Sequence, residues 1–198
     1  MSGEQVDLFF AIIAITSLAG SIGVVLLALA SRFSSGTNDA LIRARMAIGG
    51  SELFYTAGTA VGATLGSLYY SQIRGFEPCQ LCWYQRIFMY PLAVLLVVAL
   101  VKRDTVVRRY ALPLALIGGG IAFYHNYVQI YPSLDAGGAC GFGPSCSGKY
   151  INVFNNVSIP VMALAAFSSI AILLISLYLN ERDGRRHHRS QQHDDQGT

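Results

Sequence analysis

The segment EPCQLCWYQR, residues 77–86, places Cys79 and Cys82 in C-x-x-C spacing directly before an aromatic pair and an arginine. A disulfide across that spacing closes a very small ring, so it is readily broken and reformed. A helix starting just beyond the pair lowers the thiol pKa through its N-terminal dipole, and Pro78 marks such a start. Arg86 follows Cys82 by four residues, about one turn along the same helical face, where its permanent charge can stabilise a thiolate or another anion. Its plainer role is to snorkel toward a membrane surface.

A second pair, Cys140 and Cys146, lies in DAGGACGFGPSCSGKY, a stretch rich in Gly, Ser and Pro with no hydrophobic periodicity. Such a loop is expected to be accessible. A structural staple is the common role of an external disulfide, but a loop this short has little apolar core to hold, so an exchangeable disulfide fits better. Zinc sites usually pair two short C-x-x-C knuckles, and five residues separate Cys140 from Cys146, so no metal is expected. Covalent haem attachment needs His after the second cysteine, where Trp83 stands. No Ser–His–Asp or paired-carboxylate constellation is visible.

Composition says what kind of scaffold must hold these residues. The 198 residues are 53% hydrophobic and 13% charged, with mean hydropathy +0.45, outside the usual range of a soluble domain. Uncharged runs cover Leu8 to Ser31, Leu53 to Ile73 and Tyr150 to Asn180, each enough to cross a bilayer as helix. Trp83 to Val101 carries only Arg86, and Tyr110 to Tyr131 only His125. Five spans are therefore expected, in an all-α integral membrane protein. Three domains follow: a first helix in 1–36, a bundle with two cysteine loops in 37–181, and a polar, disordered tail in 182–198. The His187, His188 and His193 cluster in that tail reads as solvated rather than metal-binding.

Of the 14 Lys and Arg, eleven fall on one side of these spans (Arg32, Arg43, Arg45; Lys102, Arg103, Arg108, Arg109; Arg182, Arg185, Arg186, Arg189) and two, Arg74 and Lys149, on the other. The positive-inside rule then puts the C-terminus in the cytoplasm and all four cysteines outside, where disulfides persist. Span one resembles a signal peptide at Ala28 to Ala30. Its length and the absence of a preceding Lys or Arg favour a retained helix. His125, in FYHNYVQIYP, sits near the outer end of span four, a depth where an ionisable group is functional or satisfied within the bundle. Trp83, Tyr84, Phe88, Tyr90, Phe123, Tyr124, Tyr127 and Tyr131 suit an interfacial belt, or walls for a flat apolar cofactor.

The order and spacing of PCQLCWYQR, YHNYVQIYP, the outer-loop cysteine pair and IPVMALAAF resemble the DsbB-type disulfide bond formation proteins, over about Leu53 to Asn180. The resemblance implies a four-helix transmembrane bundle, spans two to five, joined here by an extra N-terminal helix. It also implies a thiol:quinone oxidoreductase of the bacterial cytoplasmic (inner) membrane, with its cysteine loops on the periplasmic or extracellular side. A DsbA-like thioredoxin-fold thiol oxidase would attack the Cys140–Cys146 disulfide at Cys140. The resulting dithiol would reduce Cys79–Cys82. Cys82 would pass electrons to ubiquinone or menaquinone beside Arg86, with His125 close to the ring.

Beyond that oxidase, the quinone and the bilayer, no nucleic-acid partner is expected. The chain departs from the family pattern in its added first span and in a compact second outer loop. A vitamin K epoxide reductase-like enzyme is a rival reading, but there the quinone-side C-x-x-C follows the loop cysteines instead of preceding them. A channel or transporter with structural disulfides would also account for the spans, and would reduce no quinone.

Overall fold

Five α-helices form the described part of the computed structural model, which covers residues 3–30, 51–135, 140, 144–151, 153 and 157–196, with side chains to 26 in the first segment and to 179 in the last. They are α1 (Gly3–Ala30), α2 (Glu52–Leu68), α3 (Gln80–Lys102), α4 (Arg108–Ile130) and α5 (Ile159–Gln196). Arg32, Arg43 and Arg45, and the side chains of the tail arginines and histidines, lie outside the described residues.

Among the described residues, four helical stretches are long and apolar enough to cross a membrane: Gly3–Leu26, Gln80–Lys102, Thr105–Ile130 and Ile159–Leu179. The 17 residues of α2 are extended by a π-helical turn, Tyr69–Ile73, which completes the expected second span. Gly75, at φ +67°, then lets the Phe76 N–H reach back to the Tyr70 carbonyl and ends the helix.

The fifth helix begins at Ile159, not at Tyr150 as the apolar run suggests. Val153 and Val157 exchange backbone hydrogen bonds of 3.2 and 2.9 Å just before it, and Pro160 sits in the first helical turn where no N–H is needed. The same helix runs on to Gln196, through the segment read as a disordered tail; extending a helix that is already nucleated costs little per residue.

Packing contacts close α2, α3, α4 and α5 into a ring, with α1 laid against α5. Leu92, Leu96, Phe167, Ile170 and Leu174 fill the centre, opposite Ala57, Ala60, Ala111 and Ala115. Small residues let helices approach where lipid offers no hydrophobic drive for association. Gly118 shows how close: a Cβ there would run into the ring of Phe167.

Only 11% of the apolar window of α1 is buried, against 33–39% for the other three candidate spans, so α1 sits outside the bundle. Polar contacts dock it. Asp7 pairs with Arg74 at 3.4 Å, and Ser17 and Ser21 share the Ser169 hydroxyl at 2.5 and 3.0 Å. Each interhelical hydrogen bond in an apolar medium contributes about 0.6–2 kcal/mol.

Candidate functional site

Cys79 is the N-cap of α3, and its Sγ accepts the Cys82 N–H at 3.4 Å, so the C-x-x-C pair is built into the first turn of a helix. The two Sγ atoms lie 3.0 Å apart as free thiols. Hydrogen bonding with the Cys82 thiol is the largest influence holding the Cys79 thiol well below its ordinary pKa. Burial opposes this, whereas hydrogen bonding from His125 and from the Cys82 N–H adds to it.

His125 is 2% exposed and joins the two cysteine pairs. The Gln85 side-chain amide donates to Nδ1 at 3.1 Å, which leaves the Nε2–H to donate to the Cys146 carbonyl at 3.1 Å, with Cys79 Sγ 3.7 Å from the same nitrogen. Cys140 and Cys146 form a disulfide, and Cys146 is fully buried in a cluster with Cys79, Leu81 and Val128. The reactive atoms of Cys79, His125 and Cys146 all fall within 4.8 Å of one another. Although Cys, His and Cys are donor types of a soft-metal site, the Cys146 sulfur is spent in a disulfide and is no thiolate ligand.

The loop that carries Cys146 is tied down on both sides. Ser145 donates its hydroxyl to the Asp135 carboxylate, which also accepts the Ser147 N–H at 3.1 Å; the Ser145 bond is the main reason the Asp135 pKa is lowered. Gln129 donates to the Gly148 carbonyl at 3.3 Å and accepts from Ser158 at 2.7 Å, linking the loop to α4 and to the start of α5.

On its other side the C-x-x-C turn borders a cavity of about 490 Å³ between α1, α2, α3 and α5, and Cys82 and Arg86 line its wall. Arg86 Nε donates to the Ser67 hydroxyl at 2.9 Å, Nη2 donates to the Ser67 carbonyl at 3.1 Å, and the guanidinium lies 5.2 Å over the Trp83 ring. The rest of the lining is mostly apolar, with Gly58 and Gly62 meeting nothing within 4 Å where side chains would stand. The size suits a small-molecule site, and an apolar slot with a thiol and a cation at one end suits a flat ring with a polar edge.

The six residues singled out from sequence thus fall into two groups. Cys82 and Arg86 line the large cavity. Cys79, His125, Cys146 and Cys140 cluster beside it. His125 lines, with Cys79 and Cys82, a second space of about 20 Å³, and Cys82 borders both this space and the large cavity. Of the aromatics, Trp83, Tyr84, Phe123, Tyr124, Tyr127 and Tyr131 are exposed on the outside of the bundle, and Tyr90 lines the large cavity.

Sequence reading missed Gln85, which orients His125, and Ser67, which holds Arg86. A lone amide inside an apolar span is a signal that would have found Gln85; a serine on an apolar helix gives none as clear.

Comparison with known proteins bears on this geometry. The family described as disulfide bond formation protein DsbB matches residues 51–177, which take in α2 to α5 through residue 177 and leave α1 outside. The chain is 51% identical over 121 residues to the probable disulfide formation protein C 1 of Bacillus cereus, covering 61% of this chain and 86% of that one. It is 48% identical over 118 residues to the disulfide bond formation protein C of Bacillus subtilis, covering 60% and 86%. With the probable disulfide formation protein of Deinococcus radiodurans it shares 46% over 123 residues, covering 58% and 80%. No solved structure matches the chain.

Proposed function

The chain belongs to the DsbB family of disulfide bond formation proteins and is a multi-pass, disulfide-forming membrane oxidoreductase; from that premise we propose that it reoxidises an extracytoplasmic DsbA-like thiol oxidase and delivers the electrons to ubiquinone or menaquinone. The observation that carries the reading is the adjacency of the pairs. Cys146 and Cys79 are sulfur neighbours across His125, and Cys82, the other half of the inner pair, lines the large cavity.

The chemistry follows as successive thiolate attacks. A partner thiolate attacks Cys140 Sγ, the Cys140–Cys146 bond breaks, and Cys146 leaves as thiolate. The partner's second thiol attacks the mixed disulfide, which releases oxidised partner and the Cys140 thiol. With Cys79–Cys82 oxidised, the Cys146 thiolate attacks Cys79 Sγ and Cys82 leaves as thiolate. Cys140 then attacks Cys146 Sγ, restoring the outer disulfide and freeing Cys79.

Two electrons and two protons have moved from the partner to the inner pair. His125 Nε2–H, within reach of Cys79 and fixed by Gln85, is suited to stabilise the thiolate that forms there. Cys82 and Arg86 would hold a quinone, which would supply the two-electron oxidant that returns the inner pair to its disulfide. Arg86 offers positive charge to the thiolate and to the polar edge of the ring.

The test combines purified protein, a reduced thioredoxin-fold oxidase and quinone. Quinol should form at one equivalent per oxidase oxidised, and replacement of any of the four cysteines should stop turnover. Cys146→Ala should trap a covalent complex through Cys140. Oxidation of the partner with no quinol formed would overturn the reading.

A further inference from the structure

We infer that α1 is the fourth wall of the quinone cavity at the depth of Arg86, so that the added helix helps to build the site; this rests on the quinone reading above. Phe9, Phe10, Ile13, Ala14 and Ser17 of α1 line the cavity together with Cys82 and Arg86. α1 lies outside the segment that matches the family. The bundle of α2 to α5 is therefore open to lipid on this side until α1 covers it.

Depth is set by Phe10. Its ring packs on Gly66, with Cε1 3.2 Å from where a Cβ would stand, and lies 5.9 Å from the Tyr70 ring. Gly66 immediately precedes Ser67, the residue that holds Arg86 by two hydrogen bonds. Phe10 and the guanidinium thus face the same level of the cavity from opposite walls.

Register is set by polar contacts at two heights. Asp7 pairs with Arg74 near the cysteine end, and Ser17, about 10 Å further along α1 from Phe10, bonds to Ser169 of α5 with Ser21 one turn beyond. A merely lipid-facing helix would need neither. Below the Phe10 level the cavity continues along Gly62 and Gly58 of α2, where no side chain fills the space. A quinone ring at the Phe10–Arg86 level would run its isoprenoid tail down this space.

Photolabelling of the full chain in lipid bilayers reads this directly, with an azido-substituted benzoquinone carrying a short alkyl tail as the probe and mass spectrometry of the labelled peptides as the readout. Label is expected in residues 9–17 as well as in 82–90, and excess unlabelled quinone should remove both. Phe10→Ala should lower labelling of α1 and raise the quinone KM about tenfold, with a much smaller change in kcat. Competed label in 82–90 with none in 9–17, or label on α1 that survives competition, would overturn the wall while leaving the quinone reading intact. Absence of competed label in 82–90 would overturn the quinone reading and the wall with it.

Discussion

Replacing Arg86 with Met keeps a side chain of similar length and removes the charge and all five donors. The guanidinium is fixed to Ser67 through Nε and Nη2, at 2.9 and 3.1 Å, while lining the same cavity as Cys82. If it stabilises the negative charge that develops as the inner pair gives up its electrons, its loss resembles removal of one donor to a developing anion, about 2–4 kcal/mol. That is roughly 30- to 900-fold in kcat/KM for quinone, at 1.36 kcal/mol per tenfold.

Ser67→Ala removes the Nε acceptor and keeps the carbonyl bonded to Nη2, so it should cost only about 1 kcal/mol, roughly fivefold. Arg86→Lys should fall between, since it keeps charge without the planar fork. Stopped-flow quinone reduction by pre-reduced protein measures these rates, and partner exchange at Cys140–Cys146 and thermal unfolding serve as controls. The rival role is an interhelical staple from α3 to α2, which predicts lower stability with quinone kinetics intact. A folded Arg86→Met protein that reduces quinone at the wild-type rate would refute the reasoning.

Three further outcomes are expected. Gln85→Leu strips the donor from His125 Nδ1 and frees the ring to change tautomer, so transfer between the cysteine pairs should slow about tenfold while mixed-disulfide formation at Cys140 is unchanged; equal rates in both steps would contradict the assignment. Because the Cys79 pKa is depressed, alkylation of the reduced inner pair should stay fast at neutral pH and fall only on acidification, and His125→Ala should move that fall to higher pH; a midpoint at the ordinary thiol value of about 8.5 would be wrong for this site. Gly118→Ala should destabilise the bundle by about 1–3 kcal/mol, since the buried Phe167 ring occupies the space of the new methyl, and an unchanged unfolding temperature in detergent would count against that packing.

Much of this was legible in the chain because membranes make strong demands. Long uncharged runs give the helices almost by length alone, and the C-x-x-C before Trp83 announces its chemistry. Direction around each helix was harder to read. Gln85 and Arg86 are adjacent, about 100° apart on α3, so one turns to His125 and the other to Ser67 across the bundle. Depth alone does not tell these two faces of α3 apart, whereas the helix twist does. The start of α5 was misread because Tyr150, Ile151 and Val153 are apolar enough to extend the run, although the hydrogen bonds between Val153 and Val157 and the Pro160 after them stop the helix there. Ser17 and Ser21 stand one turn apart in plain view, yet nothing local says that Ser169, about 150 residues later, bonds to both.

The most direct measurement of the central claim is a single turnover without any partner. Protein reduced at all four cysteines, freed of reductant and mixed with one equivalent of quinone, should lose the quinone absorbance stoichiometrically and gain one disulfide per molecule, formed first at Cys79–Cys82 and passed on to Cys140–Cys146, where mass spectrometry should find it. A disulfide at Cys79–Cys82 should persist only as a second equivalent is added, and Cys82→Ser should reduce no quinone at all. Quinone left oxidised beside four intact thiols, or full reduction in the Cys82→Ser protein, would contradict the account.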